Sequence, residues 1–135
     1  MPIVVVALER MRTGQAGHLE GPAPLGDYSA VFEDDGDTGY FYALDYRSPG
    51  QPIQDAIHIY NASDSGDTRS AEVKIGWSAD NQSAVLILNG LPYAVFDFAA
   101  KYGYGRSGFP APAPGSGWSR HEWSESALKR FGAES

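Results

Sequence analysis

The chain has 135 residues, no cysteine, and 17 Asp and Glu residues against 10 Lys and Arg residues, which gives a formal charge of -7. This length is typical of one domain, and it allows a core without disulfides or structural metals. The lack of cysteine excludes disulfides, thiolate catalysis and cysteine-ligated zinc. The acidity disfavours nucleic acid and favours a cationic partner, so we expect a single domain over residues 1–135 with no nucleic-acid partner.

The N-terminal apolar run, residues 3–8, predicts a buried first strand because β-branched residues dominate it. It is too short to span a membrane, and it lacks the basic region of a secretion signal. We therefore expect a cytoplasmic protein with no membrane partner. Residues 13–27 are rich in Gly and Pro and have no periodicity, which predicts a loop.

The middle of the chain predicts strands separated by polar turns. The predicted strands cover residues 28–33, 38–46, 53–60, 72–78, 83–88 and 93–98. Residues 83–88 are apolar on both faces, which indicates a central strand, and Asn89-Gly90 predicts a tight hairpin after it. In residues 53–60, alternation places Ile57 on one face and both His58 and Tyr60 away from it.

Two segments near the C-terminus carry different patterns. Residues 103–117 are rich in Gly, Pro and Ser and predict a surface segment without regular structure. A short helix is predicted from Ser124 to Phe131, where an apolar stripe beginning at Trp123 would pack on a sheet. The predicted fold is mostly β, with α+β as an alternative: an antiparallel β meander forming a sandwich or barrel-like sheet with a short C-terminal helix.

Three short motifs match catalytic or nucleotide-binding patterns but lack the required context. Residues 103–108 read G-x-G-x-x-G, but Pro110 and Pro112 follow and prevent the helix that would hold a pyrophosphate. Asp37-Thr38-Gly39 is a single copy of a triplet that works only in pairs. Residues 126–129 read S-x-x-K, but Lys129 next to Arg130 indicates a solvated lysine. We predict no catalytic residues from these motifs.

The acidic turn at residues 33–37 is a candidate ligand-binding segment. Its carboxylates Asp34, Asp35 and Asp37 could coordinate a hard cation, form a polar recognition surface, or simply be solvated around a hairpin turn. The EF-hand spacing does not fit, because the glycine is misplaced. We predict no bound metal and no cofactor.

Three further residues are candidates for ligand binding. His58 could act as a general base if a carboxylate oriented it, with Tyr60 beside it on the same predicted face. Arg106 could bind a carboxylate or phosphate with its guanidinium fork. The alternatives are a half-buried histidine that forms hydrogen bonds, and an arginine that stacks on tyrosines and pairs with an acid.

Four stretches of the chain form a recognisable set: FEDDGDTGYFYA at residues 32–43, DAIHIYN at 55–61, LPYAVFDF at 91–98 and GYGRSGFP at 103–110. Together they resemble the DUF2251 group, a bacterial domain family of unknown function. The resemblance spans roughly residues 29–118 and leaves the first 27 residues outside it. It implies a small bacterial protein with one compact domain, and it implies no activity, cofactor or catalytic residue.

Two functional hypotheses follow from these patterns. The first is a non-enzymatic binding or interaction protein, accessory or immunity-like, whose acidic face covers a basic protein partner. The alternative is a small-ligand or metal-binding protein, or an enzyme, with one pocket formed by the acidic turn, His58 and Arg106. A homodimer through an exposed edge strand or through the segment with Trp118 and Trp123 is a further possibility.

Overall fold

A computed structural model describes residues 3–48, 50–62 and 70–124 of the chain. The strands of this part are β1 (Ile3–Arg12), β2 (Gly17–Pro22), β3 (Tyr28–Asp34), β4 (Thr38–Asp45), β5 (Ile53–Asn61), β6 (Ser70–Ser78), β7 (Ser83–Leu88), β8 (Leu91–Asp97), β9 (Tyr102–Gly105) and β10 (Ser119–Arg120). The described residues form no α-helix, and none of their elements is a helix long and apolar enough to cross a membrane.

The strands form two sheets that pack face to face. The six-stranded sheet has the order β1-β6-β7-β8-β9-β10, and the four-stranded sheet has the order β2-β3-β4-β5. Neighbouring strands are antiparallel except for the short pair β9 and β10. Side chains of both sheets share one core, where the rings of Phe41 and Phe96 stack 5.1 Å apart. The prediction of a mostly β fold is confirmed. Of the two predicted arrangements, a sandwich and a barrel-like sheet, the described strands form the sandwich.

The β7–β8 hairpin forms as the sequence predicts. All residues of β7 are buried, because one face lies in the shared core and the other in a second apolar cluster. Asn89 and Gly90 turn the chain with φ values of 52° and 82°, the left-handed conformation that a type I′ turn requires. Asn and Gly adopt this conformation more readily than other residues, which is why the dipeptide is a reliable signal.

The second apolar cluster lies on the outer face of the six-stranded sheet. It consists of Val85, Ile87, Val95 and Tyr104, and Trp123 packs against it. Trp123, the first residue of the predicted apolar stripe, thus contacts this sheet. The helix predicted from Ser124 to Phe131 lies outside the described residues, apart from Ser124 itself.

Two segments predicted as loops contain strands. Residues 17–22 within the first predicted loop form β2, the edge of the four-stranded sheet. Gly21 interrupts the short apolar pattern of β2, so the sequence does not indicate a strand. A Cβ at Gly21 would lie 2.7 Å from Cγ2 of Ile75, so the packing of the two sheets requires glycine there. Residues 102–105 form β9, which extends the other sheet beyond β8.

The predicted burial of the first strand is wrong. β1 is an edge strand of the six-stranded sheet, paired with β6 alone among the described strands. Val4, Val5 and Leu8 are exposed on it. A continuous apolar run normally indicates burial on both faces, but in this chain it marks a sheet edge.

Candidate functional site

The outer face of the four-stranded sheet presents acidic and aromatic side chains side by side. Phe32 and Phe41 point into the core, so the residues on either side of them in β3 and β4 point outward. The strand register places two rows of outward residues across the sheet: His18, Glu33 and Tyr40 in one row, and Glu20, Val31 and Tyr42 in the next. We call these six residues the acidic–aromatic face.

The tyrosines of this face form a flat aromatic surface. The rings of Tyr40 and Tyr42 stack with centroids 6.1 Å apart and an angle of 18° between their planes. The Tyr42 hydroxyl donates a hydrogen bond of 3.4 Å to Oε1 of Glu33. Partial burial, together with the negative charge of Glu33, raises the pKa of the Tyr42 phenol. The aromatic surface is thus adjacent to a carboxylate, and both can contact one cation.

The second carboxylate of the face, Glu20, is held in place by two hydroxyl groups. Its Oε2 accepts hydrogen bonds from Ser29 at 2.7 Å and from Tyr46 at 2.6 Å. The hydrogen bond to Glu20 raises the pKa of the Tyr46 phenol, because it favours the protonated hydroxyl. Glu20 is therefore oriented before any partner arrives, which lowers the entropy lost on binding.

A depression of about 310 Å³ lies on the same side of the sheet. It is lined by His18, Val31, Glu33, Tyr42, Leu44 and Ile53. The aliphatic residues provide an apolar floor, while the carboxylate and the phenol provide acceptors at the rim. The stem of a lysine or arginine side chain is apolar and its head is cationic, so the depression suits such a side chain.

Among the other predicted site residues, Tyr60 contacts the acidic turn, and it does so inside the sandwich. Asp34 points into the sandwich, where its carboxylate accepts hydrogen bonds from the amides of Gly14 and Gly36, both at 2.8 Å, and from the Tyr60 hydroxyl at 2.6 Å. Burial and this hydrogen bond raise the pKa of Tyr60. Asp34 and Tyr60 do lie together, but as a buried contact that fixes two turns.

A β-bulge explains why Tyr60 lies on the opposite face from its prediction. Tyr40 pairs with His58, whereas the preceding residue Gly39 pairs with Tyr60, so Ile59 is an extra residue in β5. An inserted residue reverses the alternation of side chains that follow it. His58 therefore points outward and Tyr60 points inward, although the sequence spacing places them on one face.

Asp35 and Asp37 remain exposed on the turn between β3 and β4. Oδ1 of Asp35 accepts hydrogen bonds from the amides of Asp37 and Thr38, both at 2.9 Å. These hydrogen bonds lower the pKa of Asp35, because they stabilise its carboxylate. In the part of the chain that the structure describes, no group of three or more His, Asp or Glu residues is arranged to hold a metal ion.

His58 points outward but is covered by aromatic rings. Phe109 stacks on its imidazole with centroids 4.4 Å apart, and Tyr40 contacts it edge-on at 5.5 Å. Its Nε2 lies 2.8 Å from Oδ1 of Asn61, so an amide and not a carboxylate orients the ring. Its buried Nδ1 has no hydrogen-bond partner in the part of the chain that the structure describes. This environment fits a half-buried structural histidine better than a general base.

Arg106 stacks on aromatic rings, one of them a tyrosine as the second interpretation predicts, but among the described residues its acceptor is a backbone carbonyl and not the predicted acid. Its guanidinium lies 4.9 Å from the ring centroids of both Tyr93 and Trp123, and its Nε donates to the Pro92 carbonyl at 2.8 Å. Next to it, the Ser107 hydroxyl donates to the His58 carbonyl at 2.6 Å. The predicted candidates thus occupy separate environments: the sandwich interior, an exposed turn, a covered ring and a cation–π stack.

The acidic–aromatic face combines residues near the predicted turn with residues that the sequence did not single out. Glu33, Tyr40 and Tyr42 adjoin the acidic turn, whereas His18 and Glu20 lie in β2, which was predicted as a loop. The alternation of polar and apolar residues at 18–20 was the available signal, but it is too short to distinguish a strand from a loop.

A bacterial family described as an uncharacterized protein conserved in bacteria (DUF2251) matches residues 11–132. The chain belongs to this family. The match begins well before residue 29, so the family includes β2 and every other strand of the acidic–aromatic face, but only the last two residues of β1.

A curated relative shows the same similarity. The chain is 45% identical over 96 residues to an uncharacterized protein of Haemophilus influenzae, in a match that covers 70% of this chain and 60% of the relative. The chain therefore matches less than two thirds of that protein's length. No solved structure shows significant similarity to the chain.

Proposed function

We propose that this bacterial protein is a non-enzymatic binding protein that uses the acidic–aromatic face to hold a basic segment of a protein partner. The observation that carries the proposal is the position of Glu33 beside the stacked rings of Tyr40 and Tyr42, at the rim of the depression. A cationic side chain bound there contacts a carboxylate and aromatic faces together.

The charge of the whole chain supports a basic partner. With a net charge of -7, the molecule attracts cationic surfaces from a distance, and this attraction weakens as salt is added. Long-range attraction alone would not select one face, but the oriented Glu20 and the apolar floor beside Val31 provide local specificity.

The test uses the full chain, labelled with nitrogen-15, and a synthetic peptide that alternates arginine with leucine. Amide chemical shifts are followed during titration at low salt. We expect the shifts to change in β2, β3 and β4, and the affinity to fall steeply with added salt. A matched acidic peptide, with glutamate in place of arginine, should leave the spectrum unchanged.

Two charge-neutralising variants separate the face from the net charge. Glu33→Gln should weaken peptide binding by about tenfold, since a charge-assisted contact is lost. Glu72→Gln removes the same charge from β6 in the other sheet, and it should leave binding nearly unchanged. Equal weakening by both variants, or shift changes spread over the whole chain, would show that only the net charge binds the peptide.

A further inference from the structure

The edges of the two sheets differ in how well they are protected. Unpaired edge strands attract other strands, and proteins protect them by covering them, by keeping them short, or with proline and charged residues. Among the described strands, the edges are β1 and β10 in one sheet and β2 and β5 in the other. Three of these edges are either covered or at most six residues long.

The edge of β5 is covered, and those of β10 and β2 are short. On β5, the His58 amide donates to the Phe109 carbonyl at 2.9 Å, and the Ala56 carbonyl accepts from Arg120 at 3.1 Å. β10 contains only two residues. β2 has six residues, ends in Pro22, and presents the charged Glu20. None of these edges offers a long row of free amides and carbonyls to another chain.

β1 is longer than β2 and β10, and its charged residues, Glu9, Arg10 and Arg12, all lie in its second part. It contains ten residues, and its first part, residues 3–8, includes no charged residue and no proline. Leu8 is 57% exposed, and Val4 and Val5 are exposed as well. No other strand of the described part of the chain pairs with its second edge.

The bulge in β1 concentrates apolar side chains on one face. Val5 pairs with Gly76 and Leu8 pairs with Lys74, and the register shifts between Val5 and Ala7. Residues two apart on β6 share a face, so the shift brings Val5 and Leu8 to the same side of the sheet. Without the shift, their odd spacing would place them on opposite sides.

The charge of β1 is also unusual for this chain. It carries Arg10 and Arg12 against one acidic residue, Glu9, whereas the whole chain has a net charge of -7. A second copy of so acidic a molecule is repelled by most of its surface. β1 lacks this repulsion because it has one more basic than acidic residue. In an antiparallel pair, the arginine-containing ends of the two copies of β1 would lie at opposite ends of the contact.

We propose that a second copy of this chain pairs with β1, edge to edge and antiparallel, and forms a homodimer about a two-fold axis. The pairing joins the six-stranded sheets of two molecules into one continuous sheet and covers Val5 and Leu8 of both. This contact uses a surface separate from the acidic–aromatic face, so it does not depend on the proposed function.

Sedimentation velocity on the full chain, with any purification tag placed at the C-terminus, tests the proposal. The native chain should sediment at twice its mass of 14.5 kDa and dissociate on dilution. Leu8→Lys should sediment as a monomer, because a charge at the edge opposes strand pairing. Leu91→Lys is the matched control: Leu91 is 55% exposed, close to the value for Leu8, but lies in β8 inside the sheet. It should remain a dimer.

Hydrogen exchange of the native chain tests the proposal even if Leu8→Lys does not fold. Those amides of residues 3–8 that point away from β6 should be protected at high concentration and exchange at least tenfold faster on dilution. A native chain that is monomeric at high concentration overturns the proposal, as does a folded Leu8→Lys variant that stays dimeric. Protection of these outward amides that is independent of concentration would also overturn it, since the edge would then be covered within one molecule.

Discussion

Arg120 and Asp55 form a buried ion pair that connects the two sheets. Nη1 and Nη2 of Arg120 in β10 each lie 2.7 Å from one carboxylate oxygen of Asp55 in β5. The side chains are only 9% and 2% exposed. Arg120 also donates to the carbonyls of Ala56 at 3.1 Å and Pro110 at 3.0 Å, so its charge is well compensated.

We predict that Arg120→Met lowers the free energy of unfolding by about 3–5 kcal/mol, because it leaves the Asp55 carboxylate buried without its partner. Urea denaturation followed by circular dichroism measures this loss. Arg47→Met is the control, since Arg47 forms a similar contact with Asp45 at 2.8 Å but its side chain is 61% exposed. The control should lose less than about 1 kcal/mol. Equal losses in the two variants would contradict the prediction.

The tryptophans Trp77 and Trp118 should respond differently to replacement by phenylalanine. Nε1 of Trp77 donates to the Gly21 carbonyl of the opposite sheet at 2.9 Å, whereas the buried Nε1 of Trp118 has no hydrogen-bond partner among the described residues. Trp77→Phe removes a buried hydrogen bond between the two sheets, while Trp118→Phe removes a buried donor that makes no hydrogen bond within the described part of the chain. We expect Trp77→Phe to be the more destabilising by about 1–3 kcal/mol in urea denaturation. A larger loss for Trp118→Phe would contradict this.

The elements that could be predicted from the sequence are those whose signals are local. The β7–β8 hairpin depends on Asn89-Gly90 and on apolar strands directly beside that turn, so a short window contains all the information. The acidic turn between β3 and β4 is local in the same sense. In both cases the predicted turn and its flanking strands are correct.

The features that could not be predicted depend on contacts between distant segments. The bulge at Ile59 reverses the side of Tyr60, and no local pattern marks it. Arg120 and Asp55 are 65 positions apart, so their pairing follows from the packing of the sheets. The candidate site was affected in the same way: Glu20 joins the face only because β2 pairs with β3.

Gly21 should be intolerant of a side chain because the two sheets approach closely at this point. A Cβ there would lie 2.7 Å from Cγ2 and 2.9 Å from Cβ of Ile75, a buried β-branched residue that cannot move aside. We expect Gly21→Ala to lower the free energy of unfolding by about 1–3 kcal/mol. Gly50→Ala is the control, since nothing lies within 4 Å of its Cβ position. It should be neutral or slightly stabilising, and a loss as large as that of Gly21→Ala would contradict the packing argument.

Tyr60 should make the stability of the protein fall at alkaline pH. Burial and the hydrogen bond to Asp34 raise the pKa of its phenol above the ordinary value of 10.0. Above pH 10 the unfolded chain therefore loses the Tyr60 proton while the folded chain retains it. The unfolded state then binds fewer protons, so the free energy of unfolding decreases as pH rises.

Tyr60→Phe should remove this contribution. The free energy of unfolding, measured by urea denaturation between pH 8 and pH 11, should fall less steeply above pH 10 in the variant than in the native chain. The two slopes should differ by less than about 1.4 kcal/mol per pH unit, which is the limit for one proton. Tyr46→Phe is the control, because the hydrogen bond to Glu20 also raises the pKa of Tyr46 but this side chain is half exposed. Its effect on the decline should be smaller. If the free energy of unfolding of Tyr60→Phe falls with pH as steeply as that of the native chain, the buried contact with Asp34 does not control the ionisation of Tyr60.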